Sequence, residues 1–444
     1  MSDPLTGEVA DTVIDQEQGR ALPRSLPRAL TPFRYPAYRR LAVALVLSSF
    51  ASGVWVVALV WEVIRLGGGP GQLSVVSTSA AVGVVVPALL GGVVADRIPQ
   101  KRILLCVAAL ESVGMALAAV LSLTDLTAVW HLACISLVTG MGMAFYYPAY
   151  SAWLPALVEE QDLMAVNGFE GMVRPAIAQA IGPGIAGVVV GAASPGAAFG
   201  VATAASVLGI LALTLVPLTP VRRDVADSGR ASAAHPVRTA VADMREGFSY
   251  MVRTPWLLAT LLFASLMILV VMGPLEVLVP FLVKDKLGGG PGDHAMVLAA
   301  FGIGGAVGSL VVASLPMPRR YLTVMNLLWG VGCLPFVFMV LTDHIAVVVA
   351  LGFVAGALFS GPMVIWGTLL QRRVPPALLG RVASLDFFVS VSLMPVSMAL
   401  AGPVSAAIGL RTTFFVAGFA PVVFAIIAIL WARLPEDELA NPLT

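Results

Sequence analysis

Apolar runs of about 20 residues recur from residue 41 to residue 432, broken by short polar turns. An uncharged run of that length crosses a roughly 30 Å hydrocarbon core as a helix. The pattern predicts twelve spans, over residues 41–64, 73–95, 103–123, 126–150, 164–190, 197–218, 256–283, 293–315, 321–341, 345–368, 381–406 and 412–432. The longest polar interruption, 219–255, is rich in Arg, Asp and Ser and divides the spans six and six. The expected organisation is an all-α membrane protein: a tail over 1–40, a six-helix bundle over 41–218, a linker over 219–255, a second six-helix bundle over 256–432 and a tail over 433–444.

Composition agrees. The chain is 59% hydrophobic and 11% charged, against roughly 25% charged for a soluble domain. Its basic residues are placed unevenly. The two tails, the linker and the even-numbered connections hold nearly all of them, and the opposite connections hold Arg65, Lys284, Lys286 and Arg411. Cytoplasmic loops collect Lys and Arg, so both termini are expected in the cytoplasm. The first 40 residues carry no apolar core of signal-peptide type. The three cysteines, Cys106, Cys134 and Cys333, fall in apolar spans and read as small core residues, with no disulfide or metal framework. Scarce lysine with abundant Ala and Gly goes with a GC-rich bacterial genome, so a bacterial cell membrane is the expected location.

One stretch occurs twice. LGGGPG spans Leu66–Gly71 and again Leu287–Gly292, almost half the chain length later. Each copy sits in the outer connection after the first span of its half. Each is followed by a span with closely spaced glycines (Gly91 and Gly92; Gly304 and Gly308) that ends in a basic turn, DRIPQKR (96–102) or PMPRR (316–320). Equal context on both sides argues for two parallel six-helix repeats, which rock about a site near the membrane midplane.

Three further stretches carry a resemblance. GGVVADRIPQKRIL (91–104) resembles the loop 2–3 signature of the major facilitator superfamily, with Gly92, Asp96, Arg97 and Lys101 matching and Pro99 and Gln100 departing. A carboxylate at a helix end caps amides or pairs with guanidinium groups. The resemblance therefore implies a cytoplasmic gate between the halves; the plain alternative is an ordinary basic loop. AIGPGIAG (180–187) in the fifth span resembles the antiporter motif, with Gly182, Pro183 and Gly187 in place and Ala186 departing; the alternative is a packing helix bent by its proline. FYYPAYSAWLPALVEEQDLMAVNG (145–168), ADMREGFSYMVRTPWLLATLL (242–262) and RRVPPALLGRVASL (372–385) are similar to the branch of that superfamily that holds macrolide-efflux proteins, the enterobactin exporter and Tap-type drug pumps. The second of these puts Met244, Phe248 and Met251 on one face of an interfacial helix. The resemblance implies twelve helices, a proton gradient as energy source and export of amphiphilic small molecules. Where relatives carry acids in the first and third helices, this chain has Ser52 and Ala108, so proton sites do not transfer directly.

Ionisable residues inside spans are costly and mark candidates. Glu111 lies mid-span in the third helix. Glu170 and Arg174 stand four apart in the fifth and are expected to pair. Glu276 lies between Pro274 and Pro280 in the seventh and is placed ahead of Glu111 as proton carrier, because that helix lines the central cavity in this fold; a structural hydrogen-bonding role is the alternative for both. Asp386 joins the gate candidates, and Glu62 is expected to form a surface pair with Arg65. Trp55, Phe145, Tyr146, Met272, Met363 and Trp366 are candidates for a greasy substrate pocket. FGIGGAVG (301–308) lies inside a span without a preceding strand and is rejected as a dinucleotide fingerprint. No Walker A, HExxH or CxxC pattern occurs.

These readings converge on a non-enzymatic, proton-coupled exporter of an amphiphilic drug or secondary metabolite. The expected partners are a small-molecule substrate, protons and the lipid bilayer, with no cofactor, no metal and no nucleic acid, and the chain is expected to act as a monomer. A nutrient symporter, and a receptor or lipid-flipping protein on the same fold, are the competing readings.

Overall fold

The structure is a computed structural model, which describes residues 28–88, 98–159, 162–218 and 236–443. Gly92, Asp96 and Arg97, three of the four matches to the loop signature, lie outside the described residues. The described residues are helical, with no strand among them. An apolar chain in hydrocarbon must satisfy every backbone group internally, which a helix does.

The helices are α1 (Pro36–Arg65), α2 (Pro70–Val85), α3 (Gln100–Leu123), α4 (Val129–Trp153), α5 (Leu163–Pro175, continuing through Ala176–Ile181 and Gly182–Ala192) and α6 (Pro195–Thr214). A linker helix, Pro236–Arg253, follows. Then come α7 (Pro255–Gly273, continuing to Lys286), α8 (Pro291–Ser314), α9 (Tyr321–Val331 and Pro335–Leu341), α10 (Ile345–Arg373), α11 (Pro376–Ser392 and Met394–Ile408) and α12 (Leu410–Trp431). Among the described residues, eleven helices are long and apolar enough to cross a membrane. The other, α2, has 16 described residues, and the rest of its predicted span runs into the undescribed 89–97. Proline opens α1, α2, α6, α7 and α8, where its missing N–H leaves nothing unsatisfied.

Glycines set the helix pairing. A methyl group at Gly140 of α4 would stand 2.2 Å from the Ala80 carbonyl oxygen of α2, and one at Gly356 of α10 would stand 1.9 Å from that of Phe301 in α8. Likewise Gly53 brings α1 onto α5 at Ala178, and Gly273 brings α7 onto α11 at Ser397. Helix pairs of the first six thus recur in the last six in the same order.

The two LGGGPG turns are built alike. Gly67 and Gly288 both take positive φ, 77° and 64°, which glycine alone adopts without strain. The Gly69 N–H donates to the Gln72 side chain at 2.9 Å, and the Gly290 N–H to Asp293 at 2.8 Å. Just before each turn a basic side chain reaches sideways. Arg65 bonds Asp125 at 2.7 Å and the Ser122 carbonyl at 3.3 Å. Lys286 bonds Asp343 at 3.2 Å and the carbonyls of Val340 (2.7 Å) and Thr342. Each clamp ties the end of α1 or α7 to the end of α3 or α9.

The seams between the first and last six helices that these glycines mark lie at this far side, opposite the termini. Gly402 of α11 sits on Pro70 and Gly71, and its N–H donates to Ser74 at 2.8 Å. Gly187 of α5 sits on Pro291, Gly292 and Ala295. Each turn receives a glycine from the opposite set of helices.

Several expectations change. Glu62 is fully buried beneath Arg65, which holds it with two bonds of 2.9 and 2.8 Å, so the carboxylate lies below the surface and only Arg65 reaches it. Cys106 and Cys134 are exposed, leaving Cys333 as the buried cysteine. In the linker helix Met251 is buried but Phe248 is 54% exposed: Gly247 lies against Arg381 and Leu385 of α11, which turns Phe248 outward. A C-terminal helix, Leu434–Ala440, tucks buried Glu438 under the start of α9, where it accepts from the Thr323 hydroxyl at 3.1 Å. Burial pushes that carboxyl above its ordinary pKa, and the Thr323 bonds partly offset the shift.

Candidate functional site

A polar cluster forms where α1, α3, α4 and α5 meet. Glu170 and Arg174 stand one turn apart in α5 and pair at 3.6 Å. Tyr150 of α4 donates its hydroxyl to Glu170. The Arg174 guanidinium carbon lies 4.9 Å from the centre of the Tyr150 ring and 5.9 Å from those of Tyr146 and Tyr147. Tyr146 and Tyr150, four apart on one helix face, stack at 5.6 Å. A cation over aromatic faces gains from their quadrupoles, more so where water is excluded.

The cluster is closed on one side and open on the other. Glu170 is 7% exposed and Tyr38 of α1 is fully buried. The Tyr38 hydroxyl has no hydrogen-bond partner among the described residues, although Glu170 and Arg174 are near enough to act on it. Tyr147 is 63% exposed, so the open side passes along Arg174 and Tyr147. Glu111 of α3 is half-buried and near enough to Tyr146 to influence its hydroxyl. No salt bridge to Glu111 occurs among the described residues. Arginine stays protonated in proteins, so the Glu170–Arg174 pair is compensated within itself. Glu111 is then the acid of this cluster without a basic partner among the described residues.

The other candidates fall elsewhere. Phe145 packs at the edge of the apolar cluster around Tyr38 and Trp153, beside Tyr146. Trp55 rests against Phe199 at 5.0 Å. Trp366 is 7% exposed, donates its ring N–H to Asp386 at 3.1 Å and presents little surface to a ligand. Asp386 is further bonded by Ser390 at 3.5 Å, so it bridges α10 and α11 within the last six helices. Met272 is half-buried and Met363 is 54% exposed.

Glu276 is exposed at the surface of α7. It lies in a π-helical turn, Pro274–Leu278. Proline lacks the N–H that would hold α-helical register, and such bulges gather at functional positions. A second π-helical turn, Ala176–Ile181, joins Arg174 to the Gly182–Pro183 motif. Gly182 packs on Gly53 of α1, and Gly187 reaches α8. Lys101 donates to the carbonyls of Thr214 (2.8 Å) and Val216, capping the end of α6 rather than reaching the last six helices.

Sequence reasoning missed Tyr38 and Tyr150. A signal for Tyr150 existed: three of the chain's seven tyrosines fall within 146–150, two of them at helical spacing. Nothing in the sequence around Tyr38 points to Glu170.

Comparison with known proteins gives a consistent picture. A family model described as transmembrane secretion effector matches residues 28–443. The chain is 26% identical over 403 residues to the multidrug efflux pump Tap of Mycolicibacterium fortuitum, covering 88% of this chain and 94% of Tap. It is 25% identical over 390 residues to macrolide efflux protein A of Streptococcus pyogenes, covering 83% and 90% of the two chains. Among solved structures, the nucleoside transporter NupG matches with a TM-score of 0.64 at 13% identity, over 91% of this chain and 99% of that one. A bacterial homologue of the human lysosomal transporter Spinster matches with a TM-score of 0.64 at 15% identity, over 91% and 98%. At these identities the two structures show a shared fold.

Proposed function

The chain belongs to the transmembrane secretion effector family of major facilitator transporters, and from that membership we propose that it is a proton-coupled exporter of an amphiphilic small molecule. Its architecture is twelve transmembrane helices in two parallel six-helix halves. The repeated turns, clamps and glycine pairings support that layout. The excess of basic residues on the termini side supports a cytoplasmic position for both ends.

The cluster of Glu111, Tyr146, Tyr150, Glu170 and Arg174 carries the reading. An antiporter needs a group that holds a proton in one state and gives it up in another. Glu111 is the acid there with no salt bridge among the described residues, and an approach of Arg174 as the halves rock would favour its ionised form. Glu276, exposed within a π-helical turn, is the second candidate for that role. The described seams close the far side, which supports entry of a ligand from the cytoplasmic side. The relatives named as macrolide and multidrug efflux pumps support export of bulky amphiphiles.

The test is transport in proteoliposomes with an imposed proton gradient, using a panel of cationic and neutral macrolide-like probes. Wild type should move a probe against its gradient only when protons flow the other way. Glu111→Gln should abolish gradient-driven accumulation while probe exchange in the absence of a gradient persists. Full proton-driven transport by Glu111→Gln would remove Glu111 from the mechanism. Transport of probe and protons in the same direction would overturn antiport.

A further inference from the structure

We propose that a cavity at the termini side of α7 and α10 is a binding site for an anionic phospholipid headgroup. The cavity measures ≈ 540 Å³ and lies between the end of the linker helix, the start of α7, the end of α10 and the C-terminal residues. Its lining includes three guanidinium groups, Arg253, Arg372 and Arg373, and one carboxylate, Asp437. That balance favours a phosphate, which guanidinium groups bind in a forked geometry.

One arginine builds the wall and two stand at the mouth. Arg373 is held by Asp437 at 2.5 Å and lies 4.7 Å from the Trp256 ring centre, and its carbonyl accepts from the Tyr250 hydroxyl at 3.4 Å. Those contacts fix the back of the cavity. Arg253 and Arg372 are exposed.

The surroundings distinguish a lipid from a free anion. Pro255 lines the cavity and is exposed. Leu262 and Leu266, seven and eleven residues further along α7, fall on the same helix face and are 48% and 41% exposed. An apolar stripe therefore runs from the cavity into the depth of the span. Phe248 and Val252, one turn apart on the linker helix, are also exposed, at 54% and 46%. A phosphate at the mouth with acyl chains along that stripe satisfies both sets of groups. Basic pockets at the cytoplasmic ends of transmembrane helices bind such headgroups. The export reading enters only through the choice of leaflet.

The test uses full-length purified protein and mass spectrometry of intact complexes. Phosphatidylglycerol and phosphatidylcholine with identical acyl chains are titrated in separate arms. Wild type should retain phosphatidylglycerol at about tenfold lower lipid concentration than phosphatidylcholine. The double variant Arg253→Gln/Arg372→Gln should lose that preference, while Arg411→Gln at the far side should keep it. Circular dichroism and thermal melting of the double variant establish that it is folded; if it is not, each single variant should show a partial loss. Equal binding of the two lipids, or an unchanged preference in the folded variants, overturns the proposal. Displacement of the lipid by millimolar inorganic phosphate assigns the site to a soluble anion and overturns the lipid assignment. No transport is measured, so failure here leaves the export reading untouched, and the converse also holds.

Discussion

Tyr150 is the residue on which the polar cluster turns. Its hydroxyl donates to Glu170, its ring lies beneath Arg174, and its stacked partner Tyr146 is within the electrostatic reach of Glu111. Removing only the hydroxyl leaves a buried carboxylate short of a donor, which costs about 1–3 kcal/mol. Tyr150→Phe should therefore lower the melting temperature and slow transport, whereas Tyr147→Phe, at an exposed ring, should do neither to the same degree. Equal effects from the two substitutions, in a melting assay and a transport assay run together, would disprove a central place for Tyr150. Much of this cluster was legible: Glu111, Tyr146, Glu170 and Arg174 announce themselves as polar residues in apolar spans. Glu276 shows the limit of that reasoning. Sequence places it deep in a span, but which side of the helix it occupies depends on a π-helical turn that hydropathy does not encode.

Helices, by contrast, were readable because their signal is redundant. Twenty apolar residues, a proline at the start and a basic turn at the end all point the same way. The clamps were invisible because their partners come from distant connections. Arg65 counts as an outer basic residue until Asp125 and Glu62 are placed around it, and Lys286 until Asp343 is. The two clamps are alike in position and unlike in energetics. Glu62 is fully buried and bonded twice by Arg65, whereas Lys286 holds helix-end carbonyls and the exposed Asp343. Breaking a buried pair leaves an uncompensated charge, at 3–5 kcal/mol in dry surroundings. The partial exposure of Arg65 screens this to about 2–3 kcal/mol. Arg65→Gln should lower the melting temperature clearly more than Lys286→Gln, and adding Glu62→Gln to it should restore part of the loss. A double variant no better than Arg65→Gln alone would show that the carboxylate is not the source of the cost.

At the scale of the whole molecule the question is whether the two far-side seams are independent latches or one closure. Gly402 meets Pro70 and Gly71, and Gly187 meets Pro291, Gly292 and Ala295. Each clamp makes its turn continuous with helices of its own half, α1 with α3 and α7 with α9. A turn built this way does not yield by itself; it moves with its half. A methyl group at Gly402 would stand 2.7 Å from the Gly71 Cα and 2.9 Å from the Pro70 carbonyl carbon, and one at Gly187 would stand 2.7 Å from the Ala295 Cβ. Overpacking of this kind costs about 1–3 kcal/mol, and backbone atoms at Gly402 leave no flexible side chain to give way. If the halves rock as rigid bodies, opening one seam opens the other. Gly402→Ala alone should then shift the population away from far-side closure about tenfold, read as a longer distance between spin labels placed across the far side. Gly187→Ala should do the same, and the double variant should add little, because the second seam has already parted. Independent latches predict that the two shifts add. Additive shifts, with each single variant lengthening distances only at its own seam, would show that the repeated turns act separately and that the rigid-body picture does not hold for this chain.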